Sequence, residues 1–140
     1  MGFISFYAED IDFKMSKPLK TKTWIRKVIQ KERKKLSSLS YVFCSDEFLS
    51  KLNIEYLKHK ALTDIITFDY SDESGSIVAE IYISIPRVKE NGDLYKTGFD
   101  NELHRVMIHG VLHLVGYSDK KPSEKALMRK KEEACLSLLK

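Results

Sequence analysis

Three side chains in the C-terminal third of the sequence have the types and spacing of metal ligands. His109 and His113 lie four residues apart in the segment HGVLHLVGYSD, which ends at Asp119. On a helix this spacing is about one turn, so both imidazoles would project from one face and could share a tetrahedral ion. Gly116 would end the helix and turn the chain back, which would let Asp119 reach the same ion. The sequence therefore predicts a His–His–Asp metal site with an open position for water.

Gly110 distinguishes this segment from a zinc protease motif. In zinc proteases the residue after the first histidine is a glutamate that accepts a proton from water. With glycine there, a metal ion would have to activate the nucleophile, and any base would come from elsewhere or from the substrate. Two histidines at this spacing also occur as ordinary packed or surface residues. The surrounding apolar residues favour a metal, because buried imidazoles need polar partners. They are Val106, Met107, Ile108, Val111, Leu112, Leu114 and Val115.

Composition predicts one soluble domain spanning residues 1–140. The chain has 140 residues, of which 43% are hydrophobic and 31% charged, enough to bury one core. No window is long and apolar enough to span a membrane, and the first residues do not resemble a secretory leader. We therefore expect a cytoplasmic protein without a membrane partner. Cys44 and Cys135 lie far apart in apolar surroundings, which predicts two buried free thiols.

The segment from Lys17 to Lys35, KPLKTKTWIRKVIQKERKK, concentrates positive charge on a predicted helix. Pro18 would lie in its first turn. Apolar residues at helical spacing would face the core, namely Trp24, Ile25, Val28, Ile29 and Leu36. The basic outer face is either a solvated surface or a contact surface for a phosphate backbone, and charge alone leaves both interpretations open.

Four segments have the composition of strands. They are GFISFY (2–7), LSYVFCS (39–45), TDIITFDY (63–70) and SIVAEIYISI (76–85). The last alternates apolar and polar residues, with Ile77, Ala79, Ile81, Ile83 and Ile85 on one face, and the turn SDESGS predicts that it pairs with the third as a hairpin.

Four further helices are predicted. Ser45 would cap one whose inner stripe is Leu49, Leu52 and Tyr56. A short helix would follow Pro86, and Asp100 would cap the metal-binding helix, which ends before Gly116. The last would follow Pro122 and face inward through Leu127, Met128, Cys135, Leu138 and Leu139. The predicted class is α+β, a small mixed sheet of about four strands packed with about five helices around a central metal-binding helix.

The motifs resemble those of the YbeY family of bacterial endoribonucleases. The segment 109–119 resembles the family signature H-G-x-L-H-L-x-G-Y-D-H. Residues 52–68, LNIEYLKHKALTDIITF, are similar to L-N-x-x-Y-R…T-D-V-L-S-F, and residues 78–84, VAEIYIS, to G-D-I-x-I-S. Met128 with Glu132 or Glu133 stands where the terminal helix of the family has Met and Glu. The resemblance covers nearly the whole chain, with the motifs in the family's order.

This resemblance implies a metal-dependent, single-strand-specific endoribonuclease. The implied role is maturation of ribosomal RNA, notably the 3′ end of the small-subunit RNA, and ribosome quality control. The implied partners are ribosomal RNA and the ribosome or a small-subunit ribosomal protein. The implied cofactor is one Zn²⁺, although another divalent transition metal would also fit. His109 and His113 take the positions of two ligands, and Asp119 aligns with the third, a histidine in the family. An anionic third ligand would make the ion less electrophilic.

The sequence departs from the family pattern at the expected phosphate contact. Leu57 stands where the family has arginine, and Lys58, His59 and Lys60 follow it. One of these three, or Arg105 on the metal-binding helix, is predicted to bind substrate in its place.

Smaller departures are Ser118, Ala79 and Glu80, where the family has aspartate, glycine and aspartate. Asp64 is either an auxiliary base or a residue that caps a turn.

Two other functions stay open for the protein. One is a non-catalytic ribosome-assembly factor with a structural metal site, and the other is a metalloprotease-like hydrolase. The metalloprotease-like function is disfavoured, because Gly110 stands where a zinc protease has its catalytic glutamate.

Overall fold

Four strands form one mixed sheet in the computed structural model, which describes residues 2–57, 63–72 and 74–139. The strands are β1 (Phe3–Ala8), β2 (Lys35–Cys44), β3 (Ile65–Asp69) and β4 (Ser76–Ser84). Their order is β1-β2-β4-β3. β2 runs parallel to both neighbours, whereas β3 and β4 form an antiparallel hairpin. The predicted mixed sheet and hairpin are confirmed.

Five α-helices lie within the described residues. They are α1 (Pro18–Lys31), α2 (Asp46–Leu52), α3 (Ile85–Leu94), α4 (Phe99–Leu114) and α5 (Pro122–Leu139). A π-helical turn, Asn53–Leu57, continues α2. Ser45 caps α2 as predicted, because its side chain accepts a hydrogen bond from the backbone N–H of Phe48. None of the described helices is long and apolar enough to cross a membrane.

Helix α4 packs across the sheet and carries much of the core. Its buried apolar residues are Leu103, Val106, Met107, Ile108, Val111 and Leu112. On the sheet, the predicted alternation of β4 is confirmed for Ile77, Ala79, Ile81 and Ile83, which are buried. The hydroxyl of buried Tyr41 in β2 donates a hydrogen bond to the carbonyl of Met107, 3.0 Å away. This contact fixes the height of α4 on the sheet, and with it the heights of His109 and His113, two and six residues further along the helix.

Helices α1 and α5 pack together beside α4. The indole N–H of Trp24 donates to the carbonyl of Cys135, 2.7 Å away. Ile25, Val28 and Ile29 complete the buried side of α1, as predicted. Both cysteines are buried and free, which is also as predicted.

Five predicted details were wrong. Leu36 lies in β2, because α1 ends at Lys31. Tyr56 is 62% exposed, because it lies in the π-helical turn and no longer follows the stripe of α2. Leu127 is 47% exposed, because the buried stripe of α5 runs through Met128, Glu132 and Cys135.

The other two concern helix starts. Ile85 begins α3 instead of ending β4, and the Ser84 side chain caps this helix. Gly98, with φ of 86°, is the N-cap of α4, so Asp100 lies in its first turn, where a carboxylate favours the helix dipole.

Candidate metal centre

The end of α4 and the turn after it bring three potential ligands together. Gly116 has φ of 114°, a conformation that L side chains rarely adopt. Its N–H donates to the carbonyl of His113, and the N–H of Tyr117 donates to the carbonyl of Leu112. These bonds close the helix end and reverse the chain. Asp119 consequently faces the two histidines, as the glycine position predicted.

The distances between the three ligand atoms fit a tetrahedral ion. Nε2 of His109 lies 3.0 Å from Nε2 of His113 and 3.3 Å from Oδ2 of Asp119. Oδ2 of Asp119 lies 3.5 Å from Nε2 of His113. A tetrahedral zinc ion about 2.0–2.1 Å from each ligand would space them about 3.3 Å apart. Two imidazole nitrogens and one carboxylate therefore form a group that could hold such an ion.

Glu132 on α5 determines which nitrogen of His109 is free to bind. Its Oε2 lies 2.5 Å from Nδ1 of His109, and the residue is only 3% exposed. An ionised carboxylate only accepts hydrogen bonds, so Nδ1 carries the proton and donates it. The lone pair then lies on Nε2, which points at His113 and Asp119. A hydrogen bond of this kind fixes the tautomer and ring orientation of metal-binding histidines.

Arg105 connects Glu132 to a second buried carboxylate. The guanidinium donates to both oxygens of Glu102, over 3.0 Å from Nε and 2.6 Å from Nη2. It also donates from Nη1 to Oε1 of Glu132 over 3.2 Å. Glu102 is 1% exposed. These bonds to Glu102, and then the charges of both carboxylates, raise the pKa of Arg105 against the opposing effect of burial.

The charges around the histidines favour a cation. Glu102, Glu132 and Asp119 supply three carboxylates, and Arg105 is the one guanidinium bonded among them. Asp64 lies 4.0 Å from Arg105, and its burial raises the pKa of its carboxyl group despite that neighbour. The described residues therefore leave excess negative charge where the three ligand atoms converge, and a divalent ion would offset it.

Of the four residues predicted to bind phosphate, the structure describes only Arg105. Lys58, His59 and Lys60 lie outside the described residues. Arg105 stands one turn before His109, but its hydrogen bonds run to Glu102 and Glu132. Its role in substrate binding stays a prediction.

Two buried residues of the site were missed or left undecided by sequence reasoning. The family pattern offered Glu132 or Glu133 as equivalent positions, and the structure buries Glu132 and exposes Glu133. Glu102 was not predicted at all. One signal for it exists in the sequence, since Glu102 lies one turn before Val106 on the buried stripe and three residues before Arg105.

Gly110 has a steric role in the packing of α4. A Cβ atom on this residue would lie 2.8 Å from Cδ1 of Ile81 and 3.1 Å from Cδ1 of Ile65. Such contacts require the neighbours to shift. The residue after His109 therefore faces the sheet, where a glutamate would displace the side chains of Ile81 and Ile65.

The fold and the three converging side chains define an α+β protein whose central helix, together with the loop after it, carries a group able to hold one metal ion. A family model described as Endoribonuclease YbeY matches residues 5–140, so the chain belongs to the YbeY family. This confirms the resemblance that the sequence motifs indicated.

Individual relatives agree with this assignment. The chain is 50% identical over 129 residues to an Endoribonuclease YbeY of Amoebophilus asiaticus, covering 92% of this chain and 88% of that protein. It is 46% identical over 137 residues to one of Cytophaga hutchinsonii, covering 98% and 96%. A solution structure of a Thermotoga maritima protein, 27% identical, superposes with a TM-score of 0.70 over 98% of this chain and 89% of that one.

Proposed function

We propose that this protein is a metal-dependent endoribonuclease that cleaves single-stranded RNA. The convergence of His109, His113 and Asp119 carries the proposal, because its spacing suits one tetrahedral ion in a chain that belongs to the YbeY family. Zn²⁺ is the proposed ion, since imidazole and carboxylate ligands in this geometry suit it, and another divalent transition metal would also fit. Such an ion would supply Lewis acidity toward a phosphoryl oxygen and would lower the pKa of water.

Each protein group has a distinct task in this proposal. Glu132 holds the Nδ1 side of the His109 ring through Oε2, and Arg105 donates a hydrogen bond to the other oxygen of Glu132, Oε1. His113 and Asp119 are more exposed than His109, so the side of the site facing solvent is the side that RNA would approach. Gly110 contributes no base.

Asp64 has two proposed roles. Burial raises the pKa of its carboxyl group, which suits a group that accepts and returns a proton. Its backbone carbonyl also accepts a hydrogen bond from the N–H of Ser84, which suits a structural role at the start of β3. We retain both roles.

The substrate contacts proposed are Lys58, His59, Lys60 and Arg105, in place of the family arginine. Alanine at all four positions should weaken RNA binding and cleavage, and unchanged values would contradict this part of the proposal. We further infer that residues 1–140 act as one cytoplasmic domain, in maturation of the 3′ end of small-subunit ribosomal RNA. The ribosome or a small-subunit ribosomal protein would then be its partner. The near-complete coverage of its relatives supports a single functional unit.

One pair of measurements tests the activity. Elemental analysis of purified wild-type protein should find about one divalent ion per chain. His113→Ala should lose that ion together with cleavage of single-stranded RNA. His104→Ala is the matched control, because His104 lies on the same helix with its ring against Trp24, and it should retain both. Loss of the ion without loss of cleavage would contradict the proposal.

Two further readouts separate the alternatives. A 2′,3′-cyclic phosphate at the product ends would indicate attack by the ribose hydroxyl instead of water. Protein that binds ribosomal RNA without turnover, and that unfolds when a chelator removes its metal, would instead indicate a ribosome-assembly factor with a structural ion.

A further inference from the structure

Positive charge is concentrated in one segment that the metal centre does not use. Residues 17–35 hold nine of the 24 Lys and Arg residues of the chain but one of its 20 Asp and Glu residues. This segment therefore carries a net charge of +8, whereas the other 121 residues carry −4. The mild net charge of the whole chain hides this separation.

Four exposed lysines of this segment form what we call the basic ridge: Lys20, Lys27, Lys31 and Lys34. The first three lie on α1 at helical spacings of seven and four residues, so they share one face. Lys20 and Lys31 are separated by about 16 Å along the axis, at 1.5 Å per residue. Lys34 follows in the turn after the helix. The ridge is therefore an extended line of charge.

No acidic side chain of the described residues pairs with the ridge lysines. The one acidic residue of the segment, Glu32, accepts hydrogen bonds from the hydroxyl of Tyr117 and from Lys131. α1 also has no acidic residue in its first turn, where one would stabilise the helix. Lys27 and Lys31 repel each other one turn apart. A helix exposed only to solvent would gain stability from acidic partners, so an anionic partner accounts better for this pattern.

The end of the ridge lies beside the loop that carries Asp119. Glu32 Oε1 lies 2.8 Å from the hydroxyl of Tyr117, and Tyr117 stands two residues before Asp119. Lys120 and Lys121, both exposed, follow Asp119 directly. The C-terminal end of α1 therefore borders the loop that supplies the third ligand.

A membrane surface fits this helix poorly. A basic amphipathic helix binds lipid by inserting its apolar face. Here that face is Trp24, Ile25, Val28 and Ile29, and each is at most 3% exposed because it packs into the core. The exposed side is mainly charged, with Leu19 as its one large exposed apolar residue among those described, which suits a flexible polyanion that stays in solvent.

We propose that the basic ridge binds the phosphate backbone of single-stranded RNA extending from the metal centre. This rests on the proposed function for the identity of the RNA as substrate. The ridge contributes affinity without sequence preference, because lysine ammonium groups contact phosphates and not base edges. RNA long enough to reach from Asp119 along α1 gains affinity, and a short fragment at the metal centre does not.

The test removes three charges of the ridge together, Lys27→Gln, Lys31→Gln and Lys34→Gln. Within the described part of the chain these side chains enter no hydrogen bond or ion pair, so the variant should fold. The matched control removes three exposed charges from other elements, Lys51→Gln, Lys89→Gln and Lys96→Gln. Both variants have the same net charge, so they separate the position of the charges from their number.

Binding is measured with a 2′-O-methyl single strand of about 16 nucleotides, which lacks the ribose hydroxyl, between about 50 and 200 mM salt. The ridge variant should bind at least about tenfold more weakly at the lower salt. Its slope of log K against log salt should be smaller by about 2, since each phosphate contact contributes about 0.7. The control should keep the wild-type slope. The proposal would be overturned if the ridge variant bound the strand as tightly as wild type, or if the control variant lost as much affinity as the ridge variant.

Cleavage separates this proposal from the proposed function. KM for an RNA of about 16 nucleotides should rise in the ridge variant with kcat unchanged, while kcat/KM for one of about 4 nucleotides stays at the wild-type value. If wild-type protein cleaves no RNA but the ridge variant loses binding, the endoribonuclease proposal fails and the ridge stands. If wild-type protein cleaves RNA and the ridge variant binds it equally well, the ridge proposal alone fails. Stronger wild-type binding to phosphatidylserine vesicles than to RNA would also overturn it.

Discussion

Nδ1 of His109 lies 2.5 Å from Oε2 of Glu132, which joins helix α4 to helix α5. The bond connects residues 23 positions apart and is continued by Arg105 to Glu102. One side of the metal centre is thus held by a buried chain of alternating charges, while Asp119 closes the other side from a loop. This difference between a rigid and an accessible side suits a site that must bind an ion and still admit a substrate.

Glu132→Gln should lower metal affinity without unfolding the protein. Glutamine keeps the shape and can still accept a hydrogen bond from Nδ1 of His109, but it lacks the negative charge of the carboxylate. Replacing a group of this kind costs about 10–100-fold in metal affinity. Competition with a chromophoric chelator would measure the loss. Glu133→Gln is the matched control, because its side chain is exposed at the next position and should leave affinity unchanged.

Arg105→Gln should destabilise the metal-free protein by about 3 kcal/mol, because it leaves Glu102 and Glu132 buried without their cation. Urea unfolding would measure this, with Arg129→Gln on the exposed side of α5 as the control, expected within about 0.5 kcal/mol of wild type. Adding Glu102→Gln to Arg105→Gln should cost less than the sum of the two single changes. Simple additivity would show that the pair does not interact as the structure indicates.

Gly110→Glu should destabilise the protein by at least about 3 kcal/mol and should not create a peptidase. The new side chain would meet Ile81 and Ile65 and would place a charge against the sheet. Asn101→Glu on the same helix is exposed and should have little effect. Thermal unfolding of both variants checks the stability, and a labelled peptide substrate checks the activity. A folded Gly110→Glu protein with peptidase activity would contradict the steric explanation.

Local patterns made part of this structure predictable. The spacing of His109, His113 and Gly116 along one helix predicted that two histidines and a later carboxylate would converge, and this required no knowledge of the fold. The alternation in β4 and the turn before it likewise specified the hairpin with β3. The parallel pairing of β1 with β2 and of β2 with β4 was not specified, because it depends on crossovers through whole helices.

Other features of the site could not be predicted, because they depend on contacts between elements that are distant in the sequence. Glu132 and Glu102 carry charges that composition assigns to the surface, and only the packing of α5 beside α4 explains their burial. Gly110 was interpreted as the absence of a base, whereas its packing against Ile81 could not be known before the sheet was built. Tyr56 was placed inside because a helical period was extended through a π-helical turn.

His104 should make the stability of the protein depend on pH in a defined direction. Burial beside Trp24 lowers the pKa of its imidazole below the ordinary 6.5, with Lys20 acting the same way and Asp100 opposing it. Protonation is therefore harder in the folded than in the unfolded protein. The contribution of neutral His104 is fully present above pH 6.5 and is lost as the pH falls through the lowered pKa. His104→Gln removes this contribution, while His109 and His113 are present in both proteins. The free energy of unfolding in urea, measured near pH 8 and near pH 5, should consequently fall more for wild type than for the variant. An equal or larger fall in the variant would show that His104 is not held neutral by its burial.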